Sequence, residues 1–257
     1  TGGGPYKWTG SGAAAALGGT PPPNAKYVAV HRSRVWGAGP GYDHVALASQ
    51  ASRVNFSKLN DPENWTATDD AGSININPND GAIVNGICSG KDFLVVSKSA
   101  PSSGGLEGNL YVIMGSSPFD FSVSKIASMP AMSHYAMVPY DGWVAVATPR
   151  GIYGVHRNGV FRIDDSIQAD YDAIPSKATI SAGRYKNTLR FSYPASGSSN
   201  NREFIFDVER GVWGRNTGKT NRIYANHPNG NLLTGTASTS ILVWTQESGT
   251  NDDSAAI

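Results

Sequence analysis

Cysteine is nearly absent: Cys88 is the only one in 257 residues. No intramolecular disulfide can form, and nothing in the chain suggests a small domain stapled by disulfides. Charge is sparse and balanced. Charged residues make up 16% of the chain, and 21 basic against 20 acidic side chains leave a net charge of +1. That excludes a broad basic field for nucleic acid or an anionic membrane. The longest apolar runs, such as Ala13 to Leu17, fall far short of the ~20 residues of a membrane-spanning helix. No charged-then-apolar leader is present either, so membrane insertion is not expected. The histidines, His31, His44, His134, His156 and His227, show no pair at i, i+2 or i, i+4, and a zinc site would have to be assembled from distant loops. Gly-x-Ser-x-Gly, a phosphate-binding loop and Gly-x-Gly-x-x-Gly are all missing. No catalytic, cofactor-binding or metal-binding residue is assigned, and the chain is not expected to be an enzyme.

Glycine (30) and proline (15) are plentiful, and hydrophobic residues reach 39%. This is the composition of a chain with many turns and few exposed helices, an all-β balance. Tyr140 to Asp164 is the clearest unit. Its runs Trp143–Ala147, Ile152–His156 and Val160–Ile163 are β-branched and aromatic, and too short for helices. Asp141-Gly142, Arg150-Gly151 and Asn158-Gly159 divide them, with Asp-Gly and Asn-Gly expected to supply the φ > 0 residues of tight hairpins. Such a meander cannot bury its own faces, so it is read as one blade of a stacked series.

Looser copies occupy the rest of the chain. The expected blades are 26–66, 82–127, 135–164, 179–216 and 222–245, the last completed by 5–17. Residues 68–80 are read as a long connecting loop with room for a short strand, and 165–177 as room for one short helical turn. First strands near Val28, Val84, Ala136, Ile180 and Ile223 are roughly 43 to 56 residues apart, bracketing the period of about 40–50 of four-stranded propeller blades. The expected fold over 1–246 is therefore an all-β β-propeller of about five four-stranded antiparallel blades, closed by pairing the N- and C-terminal strands so that neither edge is left open. Residues 247–257 are expected to be a polar tail or a linker to a further domain. The first residue is Thr and not Met, which fits part of a longer product.

Candidate chemistry has a plain structural alternative at each place. Trp8, Trp36, Trp65, Trp143, Trp213 and Trp244 fall roughly one to a blade and are read as packing between sheets, with a glycan-stacking platform as the alternative. Asp69, Asp70, Asn75, Asn77, Asn79 and Asp80 are oxygen-rich but lack calcium-loop spacing. Thr68 to Gly72 is only a fragment of the Asp-box of sialidase propellers. Asp141, Asp164, Asp207 and Glu209 are the carboxylates a glycosidase reading would need, in facing pairs. The arginines of the second half, from Arg150 to Arg222, are interleaved with Tyr153, Phe161, Tyr185 and Phe191. They could line a nucleic-acid path, although a solvated face or a subunit contact accounts for them more simply. The loops Gly37–His44, Thr68–Asp80, Pro101–Gly108 and Ala195–Asn201 are the expected contact sites.

Lys26 to Gly39 (Lys-Tyr-Val-Ala-Val-His-Arg-Ser-Arg-Val-Trp-Gly-Ala-Gly), the Asn60-Asp-Pro-Glu-Asn-Trp65 turn, Gly151-Ile-Tyr153 and Phe206 to Trp213 together resemble the β-propeller structural proteins of tailed bacteriophage virions, of the tail nozzle or tail-tube type. The resemblance covers about Tyr6 to Trp244. It implies a non-enzymatic virion component, assembled in the host cytoplasm, that self-associates into a ring around the tail axis, with six-fold symmetry as the expectation. Its partners would be other virion and tail proteins, and phage DNA would pass without specific binding. The near-neutral charge is compatible with that passage, since many phosphate contacts would hold DNA in place. A glycan-binding or glycan-cleaving propeller that recognises a host surface, and a bacterial adhesin, remain as alternatives.

Overall fold

The computed structural model describes residues 6–18, 25–39, 51–67, 70–218, 220–226, 231–236 and, for the backbone alone, 243–245. The chain divides into two compact units, Thr1–Pro130 and Ala131–Ile257.

In the first unit, the short strands β1 (Tyr6–Lys7) and β2 (Ala15–Ala16) pair with each other in a ladder of their own. Two four-stranded meanders follow. One consists of β3 (Tyr27–His31), β4 (Arg34–Ala38), β5 (Arg53–Phe56) and β6 (Gly72–Asn75). The other consists of β7 (Ile83–Ser89), β8 (Phe93–Ser99), β9 (Gly108–Met114) and β10 (Ser122–Ala127). Every pairing is antiparallel and joins consecutive strands, as in propeller blades. Trp36, Phe56, Val54, Ile76, Leu94 and Val96 meet in one core between the two sheets. Trp36 lies between Phe56 and Phe121, with centroids 5.1 and 5.2 Å away.

The outer strand β6 falls inside 68–80, the stretch expected to be a long loop with room for a short strand, so the first blade runs past its expected limit at residue 66. Ile74 pairs with Val54, and Ile76 just beyond the strand is fully buried. Gly72 permits the approach, because a Cβ there would stand 3.0 Å from the Phe56 ring. The strand expected at Val45–Ala48 lies outside the described residues.

The β3–β4 turn carries no glycine, yet Arg32 and Ser33 both have positive φ (48° and 57°), the conformation a two-residue hairpin with right-handed twist requires. His31, at the end of β3, is 5% exposed. Its Nδ1 lies 2.9 Å from Ser89 Oγ, and its carbonyl accepts from Trp36 Nε1 at 3.2 Å. Burial first, and then the Arg32 charge, depress its pKa to about 4 against the partial counter-effect of Asp92 and a hydrogen bond with the Gly90 backbone. The unfolded chain therefore binds more protons than the folded one between about pH 6.5 and 4. This part of the stability is complete above the unfolded value and is lost as pH falls through that window. Urea midpoints for the wild type and His31→Gln should diverge at neutral pH and converge toward pH 4. Parallel curves would contradict the burial of a neutral imidazole.

In the second unit, β11 (Met137–Tyr140), β12 (Trp143–Thr148), β13 (Gly151–His156) and β14 (Gly159–Arg162) form one antiparallel meander. A short helix, α1 (Gln168–Asp172), follows. The next meander is β15 (Ser181–Tyr185), β16 (Thr188–Tyr193), β17 (Arg202–Asp207) and β18 (Val212–Thr217). Finally β19 (Asn221–Asn226), β20 (Leu232–Thr236) and β21 (Val243–Thr245) make a three-stranded sheet. Ala145, Ile152, Tyr171, Ile180, Phe191 and Phe204 are among the residues of the core. Tyr171 donates its hydroxyl to the Thr148 carbonyl at 2.6 Å, and Trp213 Nε1 donates to the Ile163 carbonyl at 2.7 Å. These bonds anchor the helix and the outer strand β18 to the end of the preceding blade.

Turn chemistry departs from the expected pattern. Asp141 has φ 42°, but neither Asn158 nor Gly159 is in the left-handed region; Gly159 is already in β14, paired with His156. Gly151 begins β13 with φ 141°, and a Cβ there would stand 2.5 Å from an Asp164 carboxylate oxygen. The segments expected to pair at the chain ends, 5–17 and 222–245, hold the strands β1, β2 and β19–β21. Among the described ladders, β1 pairs only with β2, and β19–β21 stand as a sheet of three.

Candidate functional site

Most of the ionisable side chains singled out in the sequence hold the blades together. Arg34 is buried and donates to the Ser57 carbonyl at 2.9 Å, the Asp70 carbonyl at 2.5 Å and Asp70 Oδ2 at 2.7 Å. Lys98, also buried, donates to Asp80. The two described carboxylates of the oxygen-rich stretch therefore neutralise buried cations, which explains why acidic residues gather there. Asp164 accepts from Arg162 Nε at 2.7 Å. Asp141 lies 3.4 Å from Arg184, whose guanidinium covers the Tyr140 ring at 4.3 Å. Arg215 pairs with Asp170, and Arg190 with Glu203. Four of the second-half arginines, Arg162, Arg184, Arg190 and Arg215, are thus engaged with carboxylates, as a scaffold held by ion pairs requires and an open cationic path does not.

The tryptophans divide. Trp36 is 1% exposed, and Trp143 and Trp213 pack against the core of the second unit. Trp8 is 65% exposed, with its indole N–H closing a local turn on the Gly12 carbonyl, so it is not packing between sheets. The indole of Trp244 lies outside the described side chains.

The sheet β15–β18 brings together the residues that could meet a ligand. The register aligns Tyr185 with Thr188, Thr188 with Asp207, and Asp207 with Val212, so two hairpin turns, Lys186-Asn187 and Val208 to Gly211, lie side by side at one end. The Val208 N–H donates to the Asn187 carbonyl at 3.0 Å and locks them together. Lys186 adopts φ 51° and Gly211 φ 65°. Asp207 Oδ1 accepts the Glu209 and Arg210 N–H groups, each at 3.1 Å, and Asn187 Nδ2 donates to Glu209 Oε1 at 2.6 Å. Between the turns is an open cavity of about 280 Å³ lined by Tyr185, Lys186, Asn187, Thr188, Asp207, Glu209 and Arg210. Lys186 Nζ sits 4.8 Å from the Tyr185 ring centroid. Arg210 is 3.7 Å from Asp207 Oδ2, with its side chain 80% exposed. Of the four carboxylates considered from sequence, the structure brings Asp207 and Glu209 together here and leaves Asp141 and Asp164 in their own ion pairs.

A second feature was not anticipated. Phe119 is 97% exposed on a loop held by Asp120, which accepts the Ser116 and Ser117 N–H groups at 2.8 and 2.6 Å. Those backbone bonds first, and then the two serine hydroxyls, lower the Asp120 pKa to about 2 against the opposing effect of desolvation.

Successive antiparallel meanders joined through their cores define a protein of the β-propeller type. No family model matches the sequence, and no curated protein matches it. Among solved structures, the chain is similar to the extracellular domain of a hybrid two-component system from B. thetaiotaomicron. The TM-score is 0.52 at 12% identity, covering 88% of this chain and 29% of that one. It is similar also to the extracellular domain of a one-component system from the same organism, with a TM-score of 0.50 at 12% identity, covering 87% and 26%. The Neurospora crassa Pan2 WD40 domain matches with a TM-score of 0.42 at 10% identity, covering 86% and 75%. The chain spans less than a third of the first two structures, and at these identities the likeness concerns the fold alone.

Proposed function

We propose that this chain is a structural and interaction module of a tailed-phage virion, a tail nozzle or tail-tube propeller that assembles with its own copies and with neighbouring tail proteins around the DNA exit path. The single observation behind this reading is where the resembling residues lie. Lys26 to Gly39 is the β3–β4 hairpin, and Asn60 to Trp65 is the turn beneath it, joined by the Asn60 N–H to the Ser33 carbonyl at 2.9 Å. Phe206 to Trp213 is the β17–β18 hairpin. The residues that carry the resemblance are thus blade-building residues, which suits a protein whose task is to be a rigid, repeated scaffold. Buried charges spent on internal braces suit the same task. In cryo-microscopy of purified particles the chain should appear as a symmetric ring at the tail, with a hexamer as the specific expectation. Its absence from purified virions would overturn the assignment.

A further inference from the structure

We infer that the cavity between the Lys186-Asn187 and Val208–Gly211 turns is a binding site for a neutral saccharide unit. Lys186 and Arg210 supply two cations, and Asp207 and Glu209 two carboxylates, so the formal charge of the lining cancels. An anion such as phosphate would face two carboxylates, and a metal cation would face an ammonium and a guanidinium. A neutral ligand bearing several hydroxyl groups meets no such penalty, because each hydroxyl both donates and accepts. Carboxylates accept from it, and Lys186, Arg210 and Asn187 donate to it. Charge-assisted hydrogen bonds of this kind are the stronger ones.

The cavity is also pre-formed. The turns are bonded to each other through Val208 and Asn187. One oxygen of each carboxylate is committed, Asp207 Oδ1 to two backbone N–H groups and Glu209 Oε1 to Asn187. That fixes both groups while leaving Glu209 Oε2 without a partner among the described hydrogen bonds and Asp207 Oδ2 only loosely paired to the exposed Arg210. Rigid acceptors lower the ordering cost of binding. The Tyr185 ring adds an aromatic wall, over which the Lys186 ammonium lies at 4.8 Å and the Arg190 guanidinium at 5.7 Å. A volume of about 280 Å³ lies just below the usual range of drug-sized ligand sites, which starts at about 300 Å³, and suits one ring of a chain, not a long oligosaccharide. The site belongs to the blade and stands whether or not the chain is a tail protein.

The test is titration of the full chain with neutral oligosaccharides, a β-1,4-glucan tetraose, a β-1,3-galactan triose and an α-1,6-mannan triose, followed by amide chemical shifts and calorimetry. At least one should give saturable shifts confined to Tyr185–Thr188 and Asp207–Gly211. Glu209→Gln, which preserves shape and a hydrogen-bond acceptor for Asn187, should weaken that binding by about tenfold, the loss expected for a charged hydrogen bond. Its unchanged melting temperature would separate this loss from misfolding. Inorganic phosphate and a glucuronic-acid oligomer should bind more weakly than the neutral sugar. The proposal is overturned if all three neutral probes leave these amides unmoved, if Glu209→Gln binds as well as wild type, or if either anion binds more tightly. None of these outcomes bears on whether the chain is found in virions.

Discussion

Replacing Lys98 with Met should cost the first unit about 3–5 kcal/mol, the usual effect of breaking a buried ion pair by removing one partner. Lys98 is fully buried in β8, and its ammonium donates to Ser52 Oγ (2.9 Å), the Ile76 carbonyl (2.8 Å), the Asn77 carbonyl (2.9 Å) and Asp80 Oδ1 (2.7 Å). Methionine fills the same channel with no donor. Two backbone carbonyls and a carboxylate then lose a partner at the connection from β6 to β7, and unmade bonds cost more than made ones contribute. Desolvation works against ionisation of Asp80. The Lys98 hydrogen bond and charge, with the bonds from the Ala82 N–H and Asn77, outweigh it and hold the pKa below 3.8. The Asp80 contribution is therefore present above that value and is lost as pH falls through the lowered folded-state pKa. Urea unfolding followed by tryptophan fluorescence should show the loss, and Lys98→Met/Asp80→Asn should recover part of it by removing the stranded charge. A loss under about 1 kcal/mol for the single variant would mean that Lys98 is not the brace described.

Glu203→Leu should be similarly damaging in the second unit, again by about 3–5 kcal/mol. Glu203 is fully buried in β17 and accepts from Arg190 Nη1 (3.2 Å), Asn216 Nδ2 (3.2 Å), Asn221 Nδ2 (3.4 Å) and the Tyr224 hydroxyl (2.6 Å). Those partners come from β16, β18 and β19, so one carboxylate secures its own blade and the inner strand of the next. Leucine would leave Arg190, 4% exposed, as a buried charge without its carboxylate. Glu203→Gln should cost less, because its amide oxygen still accepts from Tyr224. That phenol is a dependable donor, since burial first and the adjacent Glu203 charge second push its pKa well above the ordinary 10. Thermal melting of Glu203→Leu, Tyr224→Phe and the double variant should reveal coupling between the two sites. Strict additivity would mean that the network is a set of independent contacts.

Several parts of the molecule were legible in the residues. Trp143–Thr148 and Gly151–His156 emerge as strands because β-branched and aromatic residues in short runs between turn formers have no competing helical period. Gly72–Asn75 shows only as room for a short strand within a loop, because Asp, Asn, Ser and Gly surround it and only Ile74 and Ile76 mark a buried face. Its strand character comes from pairing Ile74 with Val54 and Gly72 with Phe56, 20 and 16 residues earlier in the chain. Trp8 misleads in the opposite sense, since a large aromatic residue at the blade period suggests packing while the ring remains exposed. Asn158-Gly159 shows that a turn dipeptide can mark the correct place without adopting the expected φ.

For the candidate site, the residue types were visible and their convergence was not. Lys186-Asn187 and Arg210-Gly211 read as turns, and Asp207 and Glu209 as possible carboxylates, but about twenty residues separate the two turns. Only the β16–β17 register, with Thr188 opposite Asp207, sets them beside one another. Composition and local periodicity determined that this is an all-β chain of repeated meanders, because side-chain alternation and turn propensity act over a few residues. Tertiary structure alone decided which charges became internal braces and which line a cavity. That choice depends on burial and on partners distant in sequence, where a buried ion must find its counter-charge and an exposed one need not.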